Sequence, residues 1–242
     1  MLPASHRWSH WLVLLAGYTG LISVHAPPGW AQEAEVIARL AQINSATTHA
    51  AEKTPPAVIW LNPLHPDTAQ HVTPPGNFTL LQKNKMFTPH LLVVPVGSSV
   101  AFPNADPFFH NVFSLFNGQR FDLGLYEARS TRSVVFSREG VSYIFCNIHS
   151  EMSAVVIALA TPYSSLADSQ GVFHVKDVPD GDYDLHVWVE GQKQSVLDRL
   201  TRRVHIAGAV ADLGDIRTAS SEQQKHLNKF GRPYEPDTHP IY

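Results

Sequence analysis

Short apolar runs separated by turn residues dominate this chain from residue 78 onward. β-prone segments follow one another at 78–81, 91–96, 99–102, 111–116, 132–137, 141–146 and 154–159. Gly97, Asn104, Gly118, Gly124 and Gly140 fall between them, which is the spacing of a β-sandwich or barrel. In the run ending at Cys146, strict alternation puts Ser142, Ile144 and Cys146 on one face and Val141, Tyr143 and Phe145 on the other. Cys146 thus leaves its strand at the tip, where a loop can fold back over it.

The flanks read differently. Within 32–56, Val36, Ile37, Leu40 and Ile43 fit a helical stripe, while Val36, Ala38 and Leu40 equally fit a strand. A strand is expected at 57–61, closed by Asn62-Pro63. Thr161-Pro162 breaks the pattern, after which 171–178 and 183–190 read as a β-hairpin joined by Pro179-Asp180-Gly181-Asp182. Two more strands are expected at 203–206 and 211–216, and the polar, Pro-containing tail at 219–242 is expected to be loosely ordered.

Composition narrows the function. Eighteen Lys and Arg against 21 Asp and Glu leave a net charge of −3, which gives a nucleic-acid partner no electrostatic support. The N-terminus carries Arg7 ahead of an interrupted apolar stretch, the pattern of a signal peptide over 1–31, with cleavage after Ala26 or Ala31. The mature protein is therefore expected to be soluble and periplasmic or extracellular. An odd cysteine in an oxidising compartment calls for an explanation. Ligation to a metal supplies one; a buried inert thiol is the plainer alternative.

The candidate chemistry sits in Cys146-Asn147-Ile148-His149-Ser150-Glu151-Met152. Cys-x-x-His-x-x-Met puts a thiolate, an imidazole and a thioether in one loop, and His110 in Phe108-Phe109-His110-Asn111-Val112 offers a second imidazole. Copper in a trigonal Cys/His/His site with a weak axial Met uses all four donors. Glu151 or a water could replace Met152 as the axial donor, and zinc suits the same imidazoles and thiolate. Taken singly, His110 reads as an ordinary strand-end polar residue and Met152 as core filler; together they do not. None of the fourteen histidines forms a His-x-His pair, so a multicopper oxidase is not expected, nor is any enzyme or small-molecule substrate.

The loop resembles that of amicyanin, and the segment Val96-Gly97-Ser98-Ser99-Val100-Ala101-Phe102-Pro103-Asn104-Ala105-Asp106 is similar to the cupredoxin lead-in to the first His. Residues 58–189 are most similar to the exported cupredoxin-domain group called methylamine utilization proteins, a name that carries no claim about methylamine metabolism. The resemblance implies a Greek-key β-sandwich over 57–161, one copper ion cycling between Cu(I) and Cu(II), ligands His110, Cys146, His149 and Met152, and Asn111 bridging the two ligand loops. Ser150 stands where amicyanin has a proline, which leaves His149 less constrained. The part at 162–218 resembles a carboxypeptidase-regulatory or transthyretin-like β-sandwich, through Gly171, Phe173, Val178, Pro179, Gly181 and Tyr183. In that arrangement the early strand at 58–61 pairs with it, and the copper domain is an insertion.

The expected activity is one-electron transfer, with a protein redox partner docking near His149. Pro103, Pro107, Phe108, Phe109 and Met152 are candidates for an apolar rim, with core packing the competing role for the two phenylalanines. Copper binding or delivery without electron transfer is the first rival, and a metal-free structural β-sandwich the second.

Overall fold

The alternation in the run ending at Cys146 builds a sheet with two apolar faces, and that sheet organises the molecule. In the computed structural model, residues 33–43, 54–65, 73–115, 118–219 and 226–234 are described. The expected leader at 1–31 lies outside them. Among the described residues no helix is long and apolar enough to cross a membrane.

The strands run in chain order as β1 (Glu33–Ile43), β2 (Ala57–Pro63), β3 (Asn77–Thr79), β4 (Leu81–Lys83), β5 (Met86–Thr88), β6 (Leu91–Pro95), β7 (Ser98–Pro103) and β8 (His110–Ser114). They continue as β9 (Phe121–Tyr126), β10 (Thr131–Phe136), β11 (Gly140–Cys146), β12 (Ser153–Leu159), β13 (Ser164–Leu166), β14 (Val172–Pro179) and β15 (Gly181–Val189). The helix α1 (Gln194–Leu200), β16 (Arg202–Ile206) and β17 (Val210–Ala219) complete the series. Among the described residues the protein is all-β apart from one short helix.

A five-stranded sheet in the order β6-β12-β11-β8-β9 faces a three-stranded sheet in the order β10-β7-β3. Between them lies a core of Val94, Ile144, Ala154, Val156 and Ala158 from the first sheet against Val100, Phe102 and Phe136 from the second. This is a β-sandwich. Cys146 and Met152 lie in the same cluster and are fully buried.

The other face of the five-stranded sheet is also covered. Val155, Ile157 and Leu159 of β12, with Val141 and Tyr143 of β11 alongside, join a second core that includes Phe173, Tyr183, Leu185, Trp188 and Ile216. The Trp188 indole N–H donates to Tyr143 Oη at 3.2 Å, tying the two parts across that boundary. This second part contains a sheet in the order β14-β1-β17 and another in the order β13-β2-β15-β16. As expected of the early strand, β2 hydrogen-bonds to β13 and β15 although the whole β3–β12 sandwich lies between them in sequence.

Three local expectations change. The ambiguous N-terminal segment is a strand, because β1 sits between β14 and β17 and both ladders satisfy its backbone. The hairpin expected from 171–190 does not form: β14 pairs with β1, and β15 pairs with β2 and β16. The Pro179-Asp180-Gly181 corner carries the chain from one sheet to another. Phe173, Val175 and Val178 from one sheet then share a core with Tyr183, Leu185 and Val187 from the other. Where the tail is described, at 226–234, it is ordered rather than loose and folds into a turn against the end of β11.

Candidate metal centre

β8 and β11 bring the two ligand segments together. They pair antiparallel with Cys146 opposite Val112, which sets His110 and Cys146 at the same end of the sheet. Every residue of β8 is buried, so His110 points into the sandwich rather than to water. The loop after Cys146 closes with Met152 N–H donating to His149 O at 3.2 Å and Cys146 N–H donating to Met152 O at 3.2 Å. His149 is thereby folded back over the sulfur.

The resulting geometry is compact. Cys146 Sγ lies 3.6 Å from His110 Nδ1 and 3.6 Å from His149 Nδ1. All three donor atoms fall within 4.8 Å of one another. Imidazole and thiolate donors bound to one ion at about 2.0–2.3 Å in trigonal or tetrahedral geometry stand about 3.6 Å apart. The spacing therefore fits a shared soft cation. Met152 is buried in the cluster that contains Cys146, so a thioether is present in the apolar wall.

His110 and Cys146 each have partners that fix them. His110 Nε2 sits 3.0 Å from Asp106 Oδ2, and both side chains are almost wholly buried. The Asp106 carboxylate also accepts the N–H groups of Asn84 at 2.6 Å and Lys85 at 3.0 Å. These are the two central residues of the β4–β5 hairpin, and both have φ of 56°, the pair of positive φ values that a two-residue primed turn needs. The turn presents consecutive amides to one carboxylate. Burial pushes the Asp106 carboxyl up, but the Lys85, His110 and Asn84 contacts outweigh it and hold the group below its ordinary value. An ionised Asp106 keeps the His110 proton on Nε2 and leaves the Nδ1 lone pair facing the sulfur. Burial lowers the His110 pKa, against the Asp106 contact, so the neutral, ligating form is favoured.

Burial raises the Cys146 thiol, opposed by backbone N–H groups of Asn111, Ile148 and His149 directed at the sulfur. A cation is what would convert this buried thiol to the thiolate that the amides are placed to receive.

Asn111 joins the two ligand segments through its backbone: its carbonyl accepts Asn147 N–H at 2.8 Å. Its side chain turns away and donates to Asp122 Oδ1 at 2.6 Å. Phe108 lies against both imidazoles, with ring centroids 5.4 Å from His110 and 5.3 Å from His149. Phe109 and Ile148, each next in sequence to one of these imidazoles, are exposed.

Sequence reasoning missed Asp106 as a partner of His110, although its four-residue spacing and the Asn104-Ala105-Asp106 turn were visible. It also missed Asp122, Lys229 and Tyr234, which no local pattern connects to the ligand loop.

No family model matches the chain, and no curated protein matches it. Among solved structures, the chain is similar to a purple cupredoxin from Nitrosopumilus maritimus, at 26% identity and a TM-score of 0.31, covering 34% of this chain and 98% of that one. It is also similar to amicyanin from Paracoccus versutus, at 18% identity and a TM-score of 0.33, covering 36% of this chain and 85% of that one. A third match is the Cu-containing nitrite reductase of Thermus scotoductus SA-01, at 24% identity and a TM-score of 0.33, covering 40% of this chain and 27% of that one. These comparisons give no support to the narrower methylamine utilization grouping.

Proposed function

We propose that this chain is an exported type 1 copper protein that carries single electrons to or from a protein partner. One observation carries the reading: two imidazole nitrogens each stand 3.6 Å from a single buried sulfur, the separation a shared ion imposes. In this reading His110, Cys146 and His149 form the trigonal set and Met152 the axial donor. Copper supplies a one-electron Cu(I)/Cu(II) couple when bound there.

The protein's own residues do the rest. Asp106 fixes the tautomer of His110, and the Asn111, Ile148 and His149 amides hold negative charge at sulfur. Burial of His110, Cys146 and Met152 excludes water and so limits rearrangement between charge states. His149 is only partly buried and is flanked by the exposed Phe109 and Ile148, which makes it the electron exit and the docking point. Redox encounters bury less than about 1,200 Å² in total, so a rim of this size suffices. The role is that of a carrier rather than a catalyst, in a copper domain at 57–161 whose β2 is lent to the neighbouring sandwich of 162–218.

The test is a visible absorption spectrum of the copper-loaded, oxidised protein. An intense thiolate-to-copper band should appear, bleach on reduction, return on reoxidation, and be lost in Cys146→Ser. Copper that binds without such a band and passes readily to a mild chelator would instead favour delivery. A melting temperature indifferent to copper would leave a structural sandwich without metal.

A further inference from the structure

Residues 226–234 lie against the ligand end of the sandwich, and their contacts converge on two positions. His110 and Cys146 are each followed by an asparagine, Asn111 and Asn147, and these are joined by the 2.8 Å bond from Asn147 N–H to Asn111 O. The C-terminal segment holds both. Lys229 N–H donates to Asn147 Oδ1 at 3.0 Å. The Lys229 ammonium meets Asp122 Oδ2 at 2.8 Å, and Asp122 Oδ1 accepts the Asn111 side-chain amide. Tyr234 Oη donates to the carbonyl of Cys146 itself at 2.7 Å.

The segment is also braced by hydrogen bonds of its own. Asn228 Oδ1 accepts the N–H groups of Phe230 and Arg232, each at 3.0 Å, and Asn228 N–H donates to Arg232 O at 2.9 Å. Gly231, at φ 72°, makes the left-handed turn this requires. His226 stacks on Phe145 with centroids 4.2 Å apart and an interplanar angle of 25°, and Tyr234 Oη lies 3.2 Å from His226 Nδ1. A preformed turn with an aromatic anchor at one end and a phenol at the other costs little ordering entropy when it fixes a neighbour.

We propose that segment 226–234 is a strap that locks the Cys146 loop, with Tyr234 and Lys229 as positioning residues for the ligand set. The strap immobilises the peptide after each of two proposed ligands, so the donors are held at ligating distance before any ion arrives. The proposal rests on the copper reading only for its second readout.

Tyr234→Phe removes the hydroxyl and keeps the ring; Lys229→Met removes the ammonium at a surface position. In the metal-free full-length protein, amide hydrogen exchange across 146–152 should quicken about three- to tenfold in Tyr234→Phe, the range one net hydrogen bond supplies. Lys229→Met should give a smaller change of the same sign, and global melting should fall by no more than about 2–4 °C in either. In the copper-loaded protein, release of copper to a chelator should quicken by a similar factor, with a shift of the thiolate-to-copper band. Exchange across 146–152 that is unchanged in both variants overturns the strap. Faster exchange in a protein that never shows the band sinks the copper reading and leaves the strap standing.

Discussion

The two faces of the five-stranded sheet share strands β11 and β12 and have opposite characters. On the face holding Cys146, the surrounding sandwich buries Gln82, Ser98, Asn104, Asp106, His110, Ser114 and Ser142. On the other face, the buried polar residues among those described are Thr161 and Thr218, within a core of Phe173, Tyr183, Trp188 and aliphatic side chains. A buried polar group costs free energy unless it is bonded, and a chain seeking only stability would avoid it. Of the polar groups buried on the Cys146 face, His110 stands beside the Cys146 sulfur and Asp106 holds His110 in place. One core is almost wholly apolar, while the other combines apolar packing with buried polar groups around the candidate site.

The sharpest way to break this contrast is to damage the apolar side. Trp188→Ala should destabilise the protein by about 3–5 kcal/mol in a denaturant melt, the cost of truncating a large buried aromatic. The copper spectrum of the folded fraction should be unchanged. An altered spectrum would mean that the two faces are not separate in function. Damage on the polar side should show the reverse. Asp106→Asn keeps the shape but removes the charge that fixes the His110 proton. Copper affinity, measured by competition with a chelator, should fall about 10- to 100-fold. Unchanged affinity would make the carboxylate a structural group only.

The smallest effect lies where the two sides are joined by charge. His90, just before β6, meets Glu190, just after β15, and also contacts Ser153 O at 3.1 Å. The Glu190 contact raises the His90 pKa, against burial. A raised folded value means the contribution is complete below the unfolded value of about 6.5 and lost as pH rises through the folded one. The pair is more than a third exposed, so its worth is below about 1 kcal/mol. Glu190→Gln should therefore lower stability near about pH 5.5 and leave it unaltered near about pH 8.5. Equal loss at both would assign Glu190 a role other than pairing with a charged imidazole.

Much of the copper side was legible because its signals are local. The alternation of Ser142, Ile144 and Cys146 against Val141 and Tyr143 matches the two cores, and the apolar run at 154–159 is read correctly as a strand, although its burial on both faces emerges only from the structure. Cys146 and His149 lie three residues apart, so a single loop places them; His110 was found because its donor type completed the set. What stayed hidden depends on distant pairing. β1 lies between β14 and β17, far along the chain, and no periodicity within 33–43 announces that. The corner at Pro179 reads like a hairpin turn, since the same residues suit both, and only the sheet assignment of its flanks tells them apart. Tyr234 reaches Cys146 from 88 residues away, with nothing in its own neighbourhood to mark it.

Strand β12 gives alternate side chains to two cores. A partly melted form that keeps one half intact would have to leave Ile157 or Val156 facing water, whichever half was lost. The halves are therefore thermodynamically coupled, and an ion captured beside Cys146 lends its binding free energy to residues that never approach it. Through that one strand, the neighbouring sandwich would become a beneficiary of any metal bound there.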